Sequence, residues 1–290
     1  MKSNMKDKIY DGALIFITTF TAVLCLLPLL YIFAISFSSN YAIAARLVYI
    51  WPVEFTLESY NAVFGDKSMI RSMGFTIGLT LVYMSLSMVM TIIAAYPLTK
   101  KYLKGRNIFL LMIVITMYFG GGMIPDYINM RNLNLIDKVW VLILPGCLSA
   151  FNLIVLKTFF SNLPESLEES AYLDGASHLT ILTKIVIPLS TPVLATLSLF
   201  YAVGRWNGFQ DALIYINTQS LYPLQLKLYQ LVFNNQMSEL AQLEGTSGVQ
   251  LAPESLKAAA VMFATIPIIM VYPWLQRYFM SGIMIGAIKG

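Results

Sequence analysis

The chain has 290 residues, 58% hydrophobic and 12% charged, with mean hydropathy +0.69 and a formal net charge of +4. Average soluble chains carry roughly twice that share of charge, and a soluble core cannot absorb so much apolar surface, so the composition is that of a polytopic membrane protein. The small positive balance gives no sign of nucleic-acid binding, the single histidine (His178) excludes a histidine metal cluster, and Cys25 and Cys147 lie in apolar runs that offer no disulfide framework.

Lys2, Lys6 and Lys8 precede an apolar run from Ala13 to Phe37. That run is too long for a signal-peptide core, so we expect an uncleaved first span, although Ala42-Ile43-Ala44 resembles a cleavage site. Six segments are long enough to cross about 30 Å of hydrocarbon as helices: 13–37, 72–98, 107–125, 139–158, 188–206 and 258–276. Loops inside hydrocarbon would strand backbone polar groups, so the expected fold is an all-α membrane protein of six transmembrane helices.

Basic residues set the orientation. The cluster Lys100-Lys101-Tyr102-Leu103-Lys104-Gly105-Arg106, with the N-terminal lysines, Lys157, Lys184, Arg277 and Lys289, outweighs the basic residues of the longer opposite loops. Both termini and the segment 164–188 are therefore expected in the cytoplasm. Two outer segments are sizeable. Ser38 to Arg71 carries Trp51-Pro52 and Tyr60, and Asn207 to Lys257 is polar, with Asn234-Asn235-Gln236 and Gly245-Thr246-Ser247-Gly248. In the latter, Leu224, Leu226, Leu228, Leu231 and Val232 fit either a strand or an amphipathic surface helix, and periodicity does not decide. With no internal repeat, the expected division is 1–70 (tail, first helix, outer loop), a transporter core over 71–280 with a cytoplasmic loop at 159–187, and a tail at 281–290.

Pro164 to Pro192 is the only long, charged, helix-like segment between two apolar spans. Pro164 suits a first helical position, and Glu165 and Glu168 sit where a helix N-terminus favours anions. Leu167, Ala171 and Asp174 share one face. Gly175 offers a left-handed stop and Ser177 a cap, which predicts a helix, a glycine turn and a second helix running to Pro188.

Absences narrow the chemistry. No G-x-x-x-x-G-K-[ST] loop occurs, so nothing here cradles nucleotide phosphates. The spans hold almost no ionisable residues, which argues against an ion-coupled carrier acting alone, and they lack a nucleophile paired with a base at depth. Arg205, at the end of the fifth span, is expected to snorkel to the interface. Tyr83, Tyr118, Asn152, Tyr201, Trp206 and Asn207 are the candidates for a substrate path, because aromatic faces suit sugar rings and amides or phenols suit hydroxyls. Interfacial anchoring or helix packing is the bland alternative for each. Gly120-Gly121-Gly122 permits close helix approach, and Pro28, Pro97, Pro145, Pro188, Pro192, Pro267 and Pro273 permit kinks.

Glu169-Ser170-Ala171, then Gly175, then Ile185-Val186-Ile187-Pro188 resembles the EAA motif of ABC-importer permeases, and Asp174-Gly175-Ala176 matches the fuller form of the sugar-importer branch. Ser170 replaces the first alanine, Leu182 stands where phenylalanine is common, and Ile187 replaces leucine. The tail Ser281 to Gly290, Trp206-Asn207 and Tyr222-Pro223-Leu224 also fit that branch. Gly120 to Pro125 with Leu163-Pro164-Glu165 is similar to a subgroup associated with complex oligosaccharides. The resemblance covers nearly the whole chain and implies a type I, binding-protein-dependent permease of the carbohydrate-uptake class, similar to the second permease of the maltose importer.

Such a permease implies a homologous second permease, two ATPase subunits that bind ATP and magnesium, an extracytoplasmic solute-binding protein, and a place in the bacterial cytoplasmic membrane. This chain would bind no cofactor or metal and carry no catalytic residue. Glu168, Glu169, Ser170, Ala171, Asp174, Gly175 and Ala176 would couple to an ATPase, with the acids meeting its basic groups, and the tail through Lys289 would reach it too. Tyr222, Leu224 and Gln225 would face the binding protein. Related branches that import non-sugar solutes share the EAA loop and stand as the alternative, ahead of a stand-alone carrier.

Overall fold

The computed structural model describes residues 5–243 and 253–287. The predicted contact through Lys289 and the glycine-rich stretch 245–248 lie outside them. Among the described residues the regular elements are all helical. In order they are α1 (Met5–Ser36), α2 (Asn40–Ala44), α3 (Glu58–Gly65), α4 (Lys67–Ala95), α5 (Arg106–Tyr118), α6 (Met123–Asn132) and α7 (Ala150–Ser161). There follow α8 (Glu165–Leu173), α9 (His178–Ile181), α10 (Ile187–Leu189), α11 (Thr191–Asn207), α12 (Gln210–Tyr215), α13 (Leu224–Leu243) and α14 (Glu254–Ala287). A π-helical turn, Leu182–Val186, joins α9 to α10.

Among the described residues, three helical stretches are long and apolar enough to cross a membrane unaided: Tyr10–Ser36, Lys67–Thr99 and Glu254–Val271. Two more qualify only as bent pairs. Arg106–Tyr118 and Met123–Asn132 meet at 116°, and His178–Leu189 and Thr191–Asn207 at 83°. The first bend replaces the continuous helix expected over 107–125. Phe119 turns extended and Gly122 takes φ +88°, a conformation that glycine adopts freely and other residues do not. The second bend sits at Ser190, where Pro192 denies a backbone N–H and its ring would clash with the Pro188 carbonyl of a continued helix.

The expected span 139–158 is also corrected. Only Ala150–Ser161 is α-helical, short of the roughly 20 residues needed to cross, and Val139–Leu142 is a 3-10 turn. Pro145 disfavours helix at Leu144, and the Gly146 carbonyl leaves the ladder to accept a hydrogen bond from Tyr83 Oη at 2.6 Å. The Ser149 hydroxyl then caps α7 by accepting from the Asn152 N–H at 3.3 Å. The open choice at 224–232 falls to a helix, α13, whose Leu224, Leu226 and Leu228 are buried.

The chain forms two compact units, one from residues up to 70 with 227–267, the other from 71–226 with 268 onward. In the first, Ala34, Ile35, Ala42, Val48 and Ala258 share a core, and Phe37 stacks on Phe55 and Tyr60. Ser38 Oγ ties the end of α1 to the following loop, donating to the Ala34 carbonyl at 2.7 Å and accepting from the Val53 N–H at 3.0 Å. In the second, Met88, Ala95 and Tyr96 of α4 and its end pack with Leu156 and Phe160 of α7, Ile181, Leu182 and Val186, and Leu197 and Tyr201 of α11. Ser72, Thr76, Ser87 and Thr91 put buried hydroxyls along α4. Thr76 and Thr91 return theirs to the carbonyl four residues back at 2.7 Å, so those two are not left as unpaired polar groups in an apolar core.

Candidate functional site

The helix pair α8–α9 begins one residue later than the sequence predicts. Pro164 has ψ 123° and flanks α8, so Glu165 is the first helical residue. Glu165 and Glu168 occupy the first turn, where the free N–H groups favour negative charge. The other end is a complete Schellman closure. The Gly175 N–H donates to the Tyr172 carbonyl at 3.0 Å and the Ala176 N–H to the Ala171 carbonyl at 2.9 Å. Gly175 takes φ +81°, and a Cβ placed there would meet nothing within 4 Å. Its requirement is therefore backbone conformation, not space. Ser177 caps α9 as predicted, accepting from the Thr180 N–H at 3.2 Å.

Ala171 and Ala176 are half-buried against the α4–α7–α11 core. Their small side chains seat the hairpin on its own chain. The loop before α5 grips it from another side. Lys100 pairs with Glu168, both largely shielded, while Lys101 pairs with Glu165 at 2.7 Å in the open. The hydrogen bond from Lys101 holds the Glu165 carboxyl below the usual carboxylate range. Lys100 Nζ also lies 4.3 Å from the Tyr96 ring centre, and Tyr172 Oη meets His178 Nδ1 at 2.5 Å. Glu168, expected to meet a partner's basic groups, is thus engaged within the chain. Glu169, Ser170, Asp174 and Gly175 remain exposed.

Two residues that the sequence reading missed complete the outward face. Leu173 is 90% exposed and Leu179 69% exposed, either side of the Gly175 turn. Their signal was available: with Ala171 facing the core, a leucine two positions on points away from it.

A second site opens near the end of α11. A cavity of about 550 Å³ is lined among others by Tyr83, Asp126, Arg205, Asn207, Asp211 and Tyr215. Arg205 does not snorkel. It is 6% exposed, bidentate to Asp211 at 2.5 and 2.9 Å, and donates to the Leu142 and Gly208 carbonyls at 2.9 and 3.1 Å. A buried guanidinium needs that many acceptors to offset its lost hydration. Arg205 therefore pins the 3-10 turn at 139–142 and α12 to α11. An acid six residues beyond a lone span-end arginine was the sequence signal for this pairing.

Of the six path candidates, Tyr83 and Asn207 line the cavity. Tyr201 is buried behind Tyr83, accepting from the Ser149 N–H at 3.1 Å and sharing a 2.7 Å hydrogen bond with Thr91. Asn152 and Trp206 are buried, so these three read as packing residues. Tyr118, at the α5–α6 break, is 79% exposed and lines neither the cavity nor its rim. Leu224, expected at a protein interface, is fully buried with its N–H on Thr76 Oγ1 at 2.8 Å, so it is unavailable for contact. Tyr222 and Gln225 stay half-exposed beside it.

Residues 103–284 match the family described as binding-protein-dependent transport system inner membrane component. Protein LplC of Bacillus subtilis is 41% identical over 292 residues, covering 100% of this chain and 98% of that protein. The polygalacturonan/rhamnogalacturonan transport system permease protein YtcP of the same species is 37% identical over 286 residues, covering 99% and 100%. A chain from the crystal structure of a bacterial ABC transporter involved in import of the acidic polysaccharide alginate superposes with TM-score 0.86 at 32% identity, covering 96% of this chain and 99% of that one.

Proposed function

The chain belongs to the family of binding-protein-dependent transport system inner membrane components, and we propose that it is the permease of an ATP-driven oligosaccharide importer in the cytoplasmic membrane. Both termini and the α8–α9 hairpin lie in the cytoplasm in this reading, and the 550 Å³ cavity opens towards the outside. A homologous permease completes the pathway, two ATPase subunits carry the ATP and magnesium, and a solute-binding protein delivers the sugar near Tyr222 and Gln225. Relatives named for polygalacturonan and alginate support the carbohydrate class.

The observation that carries this reading is the hairpin's outward face. Leu173 and Leu179 stand exposed beside Glu169 and Asp174, on an element clamped from behind by Lys100 and by Ala171 and Ala176. Exposed leucines on a rigid mount suit insertion into a partner's groove, and burying one contributes roughly 1.5–3 kcal/mol. The clamp then passes the partner's motion to α4, α7 and α11 in place of letting the hairpin flex. Glu169, Ser170, Asp174 and Gly175 form the polar edge of that contact. Tyr83 and Asn207 offer a ring and an amide to the passing sugar.

Co-purification tests this directly. Leu173→Asp and Leu179→Asp should lose the ATPase from the complex while inserting and folding normally, since neither side chain packs in the core. ATPase recovery equal to wild type in both variants would end the proposal.

A further inference from the structure

A second recess, of about 350 Å³, is lined by Tyr127, Arg131, Asn134, Ile136 and Lys138. Small-molecule sites run roughly 300–1,000 Å³, so it is of a size for one sugar unit. Tyr127 of this recess stacks on Tyr215 of the larger cavity, the rings 6.0 Å apart and 15° from parallel.

Its charge is what sets it apart. Arg131 and Lys138 form no ion pair among the described residues. Asp137, next in sequence to Lys138, is the obvious counter-charge, yet its carboxylate is committed elsewhere. It accepts from the Asn217 and Thr218 N–H groups at 2.9 and 2.8 Å and from Thr218 Oγ1 at 2.7 Å. Asn134 and Asp137 both hold left-handed backbone, with φ +53° and +59°, a region that asparagine and aspartate enter more readily than other non-glycine residues. The loop is thus shaped to turn its carboxylate away and leave two cations at the recess. The larger cavity has the opposite balance, with Arg205 neutralised by Asp211 and Asp126 in excess.

Resting on the importer reading above, we propose that this recess is a subsite for an anionic sugar unit, a uronosyl residue whose carboxylate sits between Arg131 and Lys138. The planar guanidinium takes the carboxylate side-on, the ammonium adds a point charge, and Tyr127 and Asn134 offer ring and amide to the sugar itself. The substrate class is therefore an acidic oligosaccharide.

The test is titration calorimetry of the wild-type complex in nanodiscs, without solute-binding protein, using trigalacturonate and its neutral counterpart galactotriose as probes. Trigalacturonate should bind, weaken as sodium chloride rises, and lose about tenfold in affinity in the Arg131→Gln/Lys138→Gln double variant, the sum of two solvent-exposed charge contacts. Galactotriose should be indifferent to the substitutions, and Arg131→Lys/Lys138→Arg should restore most of the acidic sugar's affinity. Equal binding of the two sugars, absence of trigalacturonate binding, or an unaffected double variant would overturn the proposal. So would a double variant that weakens docking of the solute-binding protein alone, which would assign the cations to a protein interface. ATPase co-purification reports separately on the importer reading, so the two failures are distinguishable.

Discussion

Replacing Gly175 by alanine, asparagine and proline separates conformation from space at the hairpin turn. With φ +81° and nothing within 4 Å of an added Cβ, alanine meets no clash and keeps both Schellman hydrogen bonds. Its whole penalty is the left-handed backbone, about 1 kcal/mol, which shifts the turn's population roughly fivefold. Asparagine tolerates that region and should fall between glycine and alanine. Proline fixes φ near −65° and deletes the N–H that reaches Tyr172 at 3.0 Å, so it should lose about 3 kcal/mol and re-aim α9 together with Leu179. Solute accumulated per ATP hydrolysed, in proteoliposomes holding the full complex, should fall in the order glycine, asparagine, alanine, proline. The proline variant should still insert and bind lipid normally. Alanine as harmful as proline would mean that space, not backbone conformation, governs the position. Proline equal to wild type would mean that the turn transmits nothing.

Three further predictions follow from the same contacts. Lys100→Ala and Glu168→Gln, run as a double-mutant cycle on thermal unfolding in nanodiscs, should show coupling of about 1–2 kcal/mol because both side chains are largely shielded; the Lys101–Glu165 cycle, open to water, should show a clearly smaller one. Arg205→Met should lose roughly 3–5 kcal/mol by stranding Asp211 and the Leu142 and Gly208 carbonyls, and Arg205→Lys should rescue little because an ammonium cannot reproduce the fork; equal midpoints for lysine and arginine would contradict this. Hydrogen bonds from Thr218 and Asn217 hold the Asp137 carboxyl below its ordinary value of 3.8, so its stabilisation is present above that pH and fades as pH falls through the lower folded value. Asp137→Asn should therefore unfold earlier than wild type at pH 7, and the two midpoints should converge under acid.

Local chemistry was legible where it was short-ranged. The glycine stop at 175, the Ser177 cap and the acids of the first turn each depend on neighbours within four residues, and each appears as the sequence implies. The breaks were legible only as residue types. Gly120-Gly121-Gly122, Pro145-Gly146 and Pro188 to Pro192 were all visible, yet hydropathy alone merged them into unbroken spans, because apolar content says nothing of where backbone groups find other partners. Long-range pairing was least visible. Glu168 meets Lys100 from 68 residues away, and Tyr201 meets Thr91 from 110, so both were read as available for outside partners. Composition ranks such residues as functional; only the fold shows that their polar atoms are already spent on the protein itself.

The 83° angle at Ser190 gives the helix that carries the hairpin the geometry of a bell crank. A push along the His178–Leu189 limb has almost no component along Thr191–Asn207, so it swings that helix sideways in place of sliding it lengthwise. The π turn at Leu182–Val186 lies in the input limb, with Leu182 and Val186 buried in the core that α4, α7 and α11 share. Arg205, near the far tip of that output limb, ties α12 at the cavity to it through Asp211. A short axial stroke at one end would thus emerge as a sideways displacement at the other.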